Sequence, residues 1–531
     1  MKELMLGNEA IALGAYEGNT WVATGYPGTP SSEIIEVIGG KYPEINSEWS
    51  VNEKVALEIA IGSSIAGMRS LVTMKHVGLN VAADPLMTCA YTGVSAGLVI
   101  VCADDPGMHS SQNEQDTRNY AKFAQVPLLE PGDSQEAKDF TALAFEISEK
   151  FDTPVIVRPV TRVSHTQTPV TPGKAARKLP KMSDGKNAKK YVMIPANARL
   201  RHTAVIERYK KLREYSETFG GHTTEMNKTE IGIVTHGYIY NYVKEALPDA
   251  SIFNVGMYPI PVAKIKEFAS KVKKLYVIEE LDPIIEEELR IAGATLTGKE
   301  IIPSEGELSI DIIKKAFGIK YTEAKPVEGL PPRPPQLCKG CGHIQVFEVL
   351  RDLGATVLGD IGCYTLGVLP PYNAMHTTIC MGSSVGNEIG YKKAAQLHNL
   401  KANSVAVIGD STFFHSGMTG LLDAVYNQTP ITLVILDNRI TAMTGHQPSP
   451  NSGFSNAFRP TRRADMEQVV RGLGVEHVRK IKISPRNIDE FKNAVLEELA
   501  VDAPSVIIAD EICVISEPRM KKLTDLIKEG K

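Results

Sequence analysis

Cys338 and Cys341 stand two residues apart in "RPPQLCKGCGH" (333–343). Thiolates at this spacing serve zinc, a redox disulfide or an iron–sulfur cluster. A zinc ribbon wants a second C-x-x-C, and none of the seven cysteines supplies one. A thioredoxin-type pair wants an adjacent strand and no further thiols. Here Cys363 follows in "GDIGCYTLG" and Cys513 in "VIIADEICVIS". Two close and two distant cysteines fit a [4Fe–4S] cluster on four thiolates. Cys89, Cys102 and Cys380 sit in apolar contexts that read as buried small side chains, with Cys380 the main rival of Cys513.

A second constellation lies in "VIGDSTFFHSGMTGLLDAVYNQTPITLVILDNRITAMTGHQ" (407–447). One strand ends in Gly409-Asp410-Ser411, and the next ends in Asp437-Asn438. A carboxylate and an amide on neighbouring strand ends can share a cation, with the Ile440 carbonyl as a third protein ligand. Hard oxygen ligands with positions left for phosphate suit Mg²⁺. Gly409 admits a diphosphate close to the backbone, and the following helix N-terminus favours the anion.

These residues need parallel strands to carry them. The chain has 531 residues, room for roughly three to four domains. Apolar residues make up 43% and charged residues 23%, an ordinary globular balance. A net charge of −4 gives no reason to expect nucleic acid or an anionic membrane as partner. The N-terminus opens directly on an amphipathic helical pattern with no signal peptide. The most apolar window, "CAYTGVSAGLVIVCA" (89–103), is shorter than a membrane span and reads as a helix end plus a strand. The scattered cysteines fit a reducing, cytoplasmic setting.

Short β-branched runs alternate with helical patterns throughout, which predicts an α/β fold with parallel sheets. Residues 1–165 carry four such runs, and 166–225 read as a basic linker followed by a helix. Residues 226–325 return to α/β, a Pro-rich stretch marks the next boundary, and 326–515 form a further α/β unit. The tail 516–531 is charged and reads as helix.

The 407–447 string resembles the G-D-G…N signature of thiamine diphosphate enzymes. "LDNRITAMTGHQ" is more specifically similar to the 2-oxoacid:ferredoxin oxidoreductases. Together with "ATGYPGTPSSEI", "NEKVALEIAIG", "GDIGCYTLG" and "AMHTTICMGSSVG", the chain resembles the α subunits of indolepyruvate:ferredoxin oxidoreductases. The resemblance implies three α/β domains: a pyrimidine domain (1–165), a transketolase C-terminal-like domain (226–325) and a pyrophosphate domain (326–515). It implies thiamine diphosphate, with Mg²⁺ held by Asp410, Asn438 and Ile440. It implies a cluster held by Cys338, Cys341, Cys363 and Cys513. Glu53 opens a helix of small residues and takes the place of the glutamate that hydrogen-bonds the aminopyrimidine. Thr29 and Pro30, Asp360, Cys363, Gly382, Gly409 and Ser411 fall in the family's cofactor-contacting strings.

The implied reaction is CoA-acylating oxidative decarboxylation of arylpyruvates, with a non-oxidative decarboxylase or lyase, or an oxidoreductase for another 2-oxoacid, as alternatives. The implied partners are a smaller β subunit and ferredoxin or a ferredoxin-like subunit, in a dimer of αβ pairs. The family's α subunit usually continues into a ferredoxin-like domain. The sequence ends at "KKLTDLIKEGK" without one, which leaves the electron acceptor open.

Several residues beside these motifs are candidates from position alone. His76 follows a strand in the first region, and His415 follows the diphosphate loop. His109 and Arg118 lie in or beside the polar loop "DDPGMHSSQNEQDTR", which could line a site. His343 reads as a capping or core residue as readily as a functional one. Met443 would suit an aryl group.

Overall fold

A computed structural model of the chain describes residues 2–322, 327, 329–331 and 333–528. Of the Pro-rich stretch 325–336, residues 325, 326, 328 and 332 lie outside these. Two compact units result, Met1–Pro326 and Val327–Lys531.

The first unit is built on a seven-stranded sheet. From edge to edge its strands are Met257–Tyr258, Leu128–Leu129, Val155–Val157, Leu98–Ala103, Ser70–Lys75, Val22–Gly25 and Asn46–Trp49. All pairings are parallel except the outermost, where Met257–Tyr258 runs antiparallel to Leu128–Leu129. The central strands Ser70–Lys75 and Leu98–Ala103 are buried along their whole length. Such strands have helices on both faces and therefore read as unbroken apolar runs rather than alternating ones.

A four-stranded sheet follows in the order Lys274–Val277, Lys228–His236, Ala250–Val255, Thr223–Glu225. The two sheets share a buried ionic network. Arg158 pairs with Asp104 at 2.6 Å and with Glu130; Arg118 pairs with Asp116 at 2.5 Å and Glu279 at 2.9 Å. His236 bonds Glu130 at 2.8 Å through Nδ1 and accepts the Glu280 N–H at 3.0 Å through Nε2. Burial would raise the Glu130 carboxyl, but His236 and Arg158 hold it down at about 2. Arg118, read from sequence as a site-lining candidate, is instead fully buried in this network.

Two further departures from the sequence reading concern the chain ends of the first region. Glu3–Leu6 is a strand, not helix, and pairs antiparallel with Gln167–Val170, inside what reads as linker. The expected helix of the linker runs over Pro195–Ser216.

The second unit holds a five-stranded, all-parallel sheet in the order Thr356–Leu358, Ser404–Gly409, Thr432–Asp437, Ser505–Asp510, His477–Lys482. Its three inner strands are buried along almost their full length. The tail carries a helix, Glu517–Lys528. No helix among the described residues is long and apolar enough to cross a membrane.

Candidate active site

In open parallel sheets, ligands bind beyond the carboxyl ends of the strands. In the first unit this edge carries the loop Gly28–Ser31, the turn into Glu53, the pair Lys75–His76, and Asp104–Asp105. Glu53 starts the helix Glu53–Ile65, whose first turn is capped by Asn52 accepting the Val55 N–H at 2.9 Å. A carboxylate in that turn is favoured by the helix dipole. Thr24 donates to the Ala56 carbonyl at 2.8 Å and pins the helix to its neighbouring strand. Glu53 is buried, and Gly78 leaves the space its carboxyl fills. The Thr29–Pro30 turn is held by Asn8, which donates to the Pro30 carbonyl at 2.7 Å. His76 is 1% exposed and bonds the Asn113 carbonyl at 3.2 Å through Nε2. His109, by contrast, faces Glu307 at 3.4 Å on the surface.

In the second unit Asp410 is buried, and its Oδ2 accepts the Arg439 N–H at 2.8 Å and Asn451 Nδ2 at 2.7 Å. The same Asn451 amide donates to Asp437 Oδ1 at 2.7 Å. Asp437 Oδ2 is buried without a partner. Burial and the neighbouring Asp437 push the Asp410 carboxyl well above its usual range. Asn438 Oδ1 accepts the Ile440 N–H at 3.1 Å, and Ser411 and Thr441 hydroxyls meet at 2.8 Å. Two buried acids sharing one amide donor do not both ionise unaided, and a divalent cation with oxygen ligands would let them.

Asp360 is fully buried and accepts three backbone N–H groups: Ile361 at 2.9 Å, Gly382 at 2.9 Å and Ser384 at 3.0 Å. Burial raises its carboxyl to about 6 despite these donors. It thereby fixes the Gly382 turn, whose φ of +88° favours glycine. A Cβ at Gly409 would lie 2.6 Å from the Tyr364 ring, so that glycine makes room for an aromatic side chain of its own chain. His415 is buried in the turn after Asp410, with Nδ1 2.5 Å from Ser416 Oγ. His343 stays neutral, pushed down to about 4 by burial.

The four cysteines singled out in the sequence line one cavity of about 250 Å³. Cys341 precedes the helix Gly342–Asp352, Cys363 opens a 3₁₀ turn, and Cys513 follows the strand Ser505–Asp510. The Cys513 N–H donates to the Asn438 carbonyl at 3.2 Å, which joins the thiol-lined cavity to the Asp410 loop pair. Met443 and Asn438 line the same cavity. Burial pushes the Cys341 thiol up to about 12, and burial with Cys513 and Cys338 nearby pushes Cys363 up to about 11. Thiols so disposed ionise only when a metal compensates them. Among the described residues, no three His, Cys, Asp or Glu side chains converge on a single metal ion. Four thiols around a void suit a polynuclear cluster better than one ion. Cys380 is exposed and does not line the cavity, unlike the buried side chain its sequence context suggests. Cys89 and Cys102 are buried.

Residues 360–509 match the family described as "Thiamine pyrophosphate enzyme, C-terminal TPP binding domain". Residues 13–230 match "Pyruvate flavodoxin/ferredoxin oxidoreductase, thiamine diP-bdg". The indolepyruvate oxidoreductase subunit IorA of Archaeoglobus fulgidus is 41% identical over 100% of this chain and 88% of its own. IorA of Pyrococcus horikoshii is 39% identical over the same shares. The chain belongs to the indolepyruvate oxidoreductase subunit IorA family. Like other IorA-type chains it is an α subunit of a thiamine-diphosphate-dependent 2-oxoacid oxidoreductase. A solved 2-oxoglutarate:ferredoxin oxidoreductase from Magnetococcus marinus shares the fold, with a TM-score of 0.50 at 17% identity over 60% of this chain and 65% of that one.

Sequence reasoning missed three residues here. Asn451, which bridges the two acids, sits in "SPNSGFS", a string that reads as an ordinary turn. Lys75 ends an apolar run and carries no signal of its own. Glu511 lines the thiol cavity, and burial raises its carboxyl to about 7.

Proposed function

We propose that this chain is the α subunit of a CoA-acylating oxidative decarboxylase of arylpyruvates (indolepyruvate, phenylpyruvate, 4-hydroxyphenylpyruvate). The products are the arylacetyl-CoA, CO₂ and two electrons delivered to ferredoxin or a ferredoxin-like subunit. The observation that carries the oxidative reading is the cavity that gathers Cys338, Cys341, Cys363 and Cys513 beside Asn438. A decarboxylase that releases aldehyde has no use for four thiols lining one cavity. Apolar walls from Leu366, Ala442, Met443 and Ile512 in the same cavity support an aryl substrate.

Thiamine diphosphate supplies the electron sink for decarboxylation when bound. In this reading Glu53, in a dry setting, holds a proton toward the aminopyrimidine, and Thr29 and Pro30 shape its seat. Asp410, Asn438 and the Ile440 carbonyl hold Mg²⁺ for the diphosphate, with Gly409 and Ser411 beside them. Asp360 keeps the Gly382 turn in place. His76 and His415 are the candidate proton carriers, and the four thiolates hold a [4Fe–4S] cluster. Residues 1–165, 226–325 and 326–515 are the pyrimidine, transketolase C-terminal-like and pyrophosphate domains. A smaller β subunit completes the enzyme, as a dimer of αβ pairs.

The test is an anaerobic assay of the complex with its β subunit, using CoA and a viologen dye. Pyruvate, 2-oxoglutarate, phenylpyruvate and indolepyruvate are compared. Arylpyruvates should reduce dye fastest, with about four irons per chain. Dye reduction with pyruvate alone would overturn the aryl assignment. Iron-free protein releasing aldehyde without CoA would overturn the oxidative one.

A further inference from the structure

Lys75 is the least explained charge in the first unit. It ends the strand Ser70–Lys75 on the edge that carries Glu53, and it is 8% exposed. Its Nζ donates to the Ser110 carbonyl at 2.8 Å. Among the described residues no carboxylate closes an ion pair on it. Asp105, the carboxylate whose charge acts most on Lys75, is committed to the Ser110 N–H at 2.8 Å and to the hydroxyls of Ser111 and Thr161, each at 2.7 Å. The Lys75 stem packs against Gly28 of the Thr29 loop, where a Cβ would stand 3.2 Å away. Burial lowers the ammonium to about 8, against the pull of Asp105 and Glu53. An ammonium has three donor hydrogens, and one is used.

The next side chain, His76, donates through Nε2 to the Asn113 carbonyl at 3.2 Å, so its buried, unpartnered Nδ1 is a lone-pair acceptor and takes no part in holding an anion. Unpaired buried cations and unmet polar atoms are costly, and the cost is recovered when a ligand supplies the missing partner. The Lys75 ammonium, with donor hydrogens still open on the strand edge that carries Glu53, defines a seat for a small anion. The diphosphate is already provided for by the Asp410 loop pair in the other unit. Of the anions left in the reaction, the CoA phosphates and the carboxylate of the 2-oxoacid, the carboxylate is the small one that a single ammonium matches.

We propose that Lys75 binds the substrate carboxylate and so selects 2-oxoacids over uncharged carbonyl compounds. This rests on the 2-oxoacid reading above. Holding the carboxylate at one end orients the carbonyl carbon, because the two are joined by a single bond.

The experiment uses the assembled holoenzyme and two competitive inhibitors of substrate length, indole-3-propionate and indole-3-propionamide. They differ in charge and hardly in shape. In wild type the acid should bind tighter than the amide. In Lys75→Met the acid should weaken by about tenfold or more, the worth of a charged hydrogen bond, while the amide shifts less than twofold. Lys75→Arg should recover part of the preference for the acid. Equal weakening of both inhibitors would overturn the proposal, since that marks a structural role. A shift confined to thiamine diphosphate or CoA affinity would overturn it in favour of a phosphate. If Lys75→Met does not fold, the acid-to-amide ratio in Lys75→Arg and Lys75→Gln decides, and a ratio unchanged from wild type in both overturns it. Wild-type enzyme inert toward every 2-oxoacid would sink the functional reading instead, which is a separate outcome.

Discussion

Gly78→Ala should disable the enzyme without harming the fold. Gly78 lies in the helix His76–Val81 and has no positive φ, so its backbone suits alanine. Alanine in a helix is favoured over glycine by about 0.5–1 kcal/mol. A methyl there meets Glu53, however. Its Cβ would stand 2.6 Å from Oε1, 2.7 Å from Cγ and 2.9 Å from Cδ, where ordinary contact begins at 3.4 Å. Three atoms of one side chain are involved, so a small torsion of the tip does not relieve the clash. The carboxyl must retreat by the shortfall, 0.5 to 0.8 Å. A misplacement near 1 Å costs on the order of 100-fold in rate. We therefore expect kcat for an arylpyruvate to fall about 10- to 100-fold, or about 1.4–2.7 kcal/mol. The Tm should stay within about 3 °C and thiamine diphosphate should still bind. Steady-state dye reduction at saturating substrate and cofactor reads the first, and calorimetry the second. A kcat within twofold of wild type, with normal stability, would refute the role given to Glu53.

Other perturbations separate the remaining parts. Asn451→Ala leaves Asp410 and Asp437 without their shared donor, so the Mg²⁺ concentration for half-maximal activity should rise about 10- to 100-fold in a titration of metal-stripped enzyme. Cys363→Ala should lower iron and acid-labile sulfide in anaerobically purified protein, whereas Cys380→Ala, outside the cavity, should leave both intact. Burial raises the Glu280 carboxyl to about 7 in the folded chain. A raised carboxyl favours folding while protonated, so its contribution is present below about pH 4.5 and is lost as pH rises toward 7. The Tm of Glu280→Gln should therefore gain on that of wild type between pH 5 and pH 8, and parallel Tm curves would contradict the shift.

The sheets were legible because buried parallel strands are apolar on both faces, as in "LVIVCA" and "TLVILD". His477–Lys482 was not, because an edge strand faces water and its "HVRKIK" alternates charge with apolar residues. Asp410 and Asn438 stood out as polar residues at strand ends, and the four cysteines by type and C-x-x-C spacing; the structure gathers the cysteines and Asn438 on one cavity. What the string could not give was their company. Asn451 reaches Asp410 from 41 positions away. Lys75 matters because, among the described residues, its ammonium meets a carbonyl and no ion-pairing carboxylate, which is a property of packing and not of spacing. Arg118 illustrates the converse: a polar loop suggested a solvent-lined site, and tertiary pairing with Asp116 and Glu279 made it core.

The antiparallel pairing of Met257–Tyr258 with Leu128–Leu129 fixes where this polypeptide can be divided. A fragment ending before the four-stranded sheet would bare Leu128–Leu129 as a raw, wholly apolar edge, an invitation to edge-to-edge aggregation. It would also leave Arg118 without Glu279 and Glu130 without His236. A cut within residues 166–225 therefore costs the first unit an edge strand and part of its ionic network. The join near Val327 is the break that leaves both products with intact sheets.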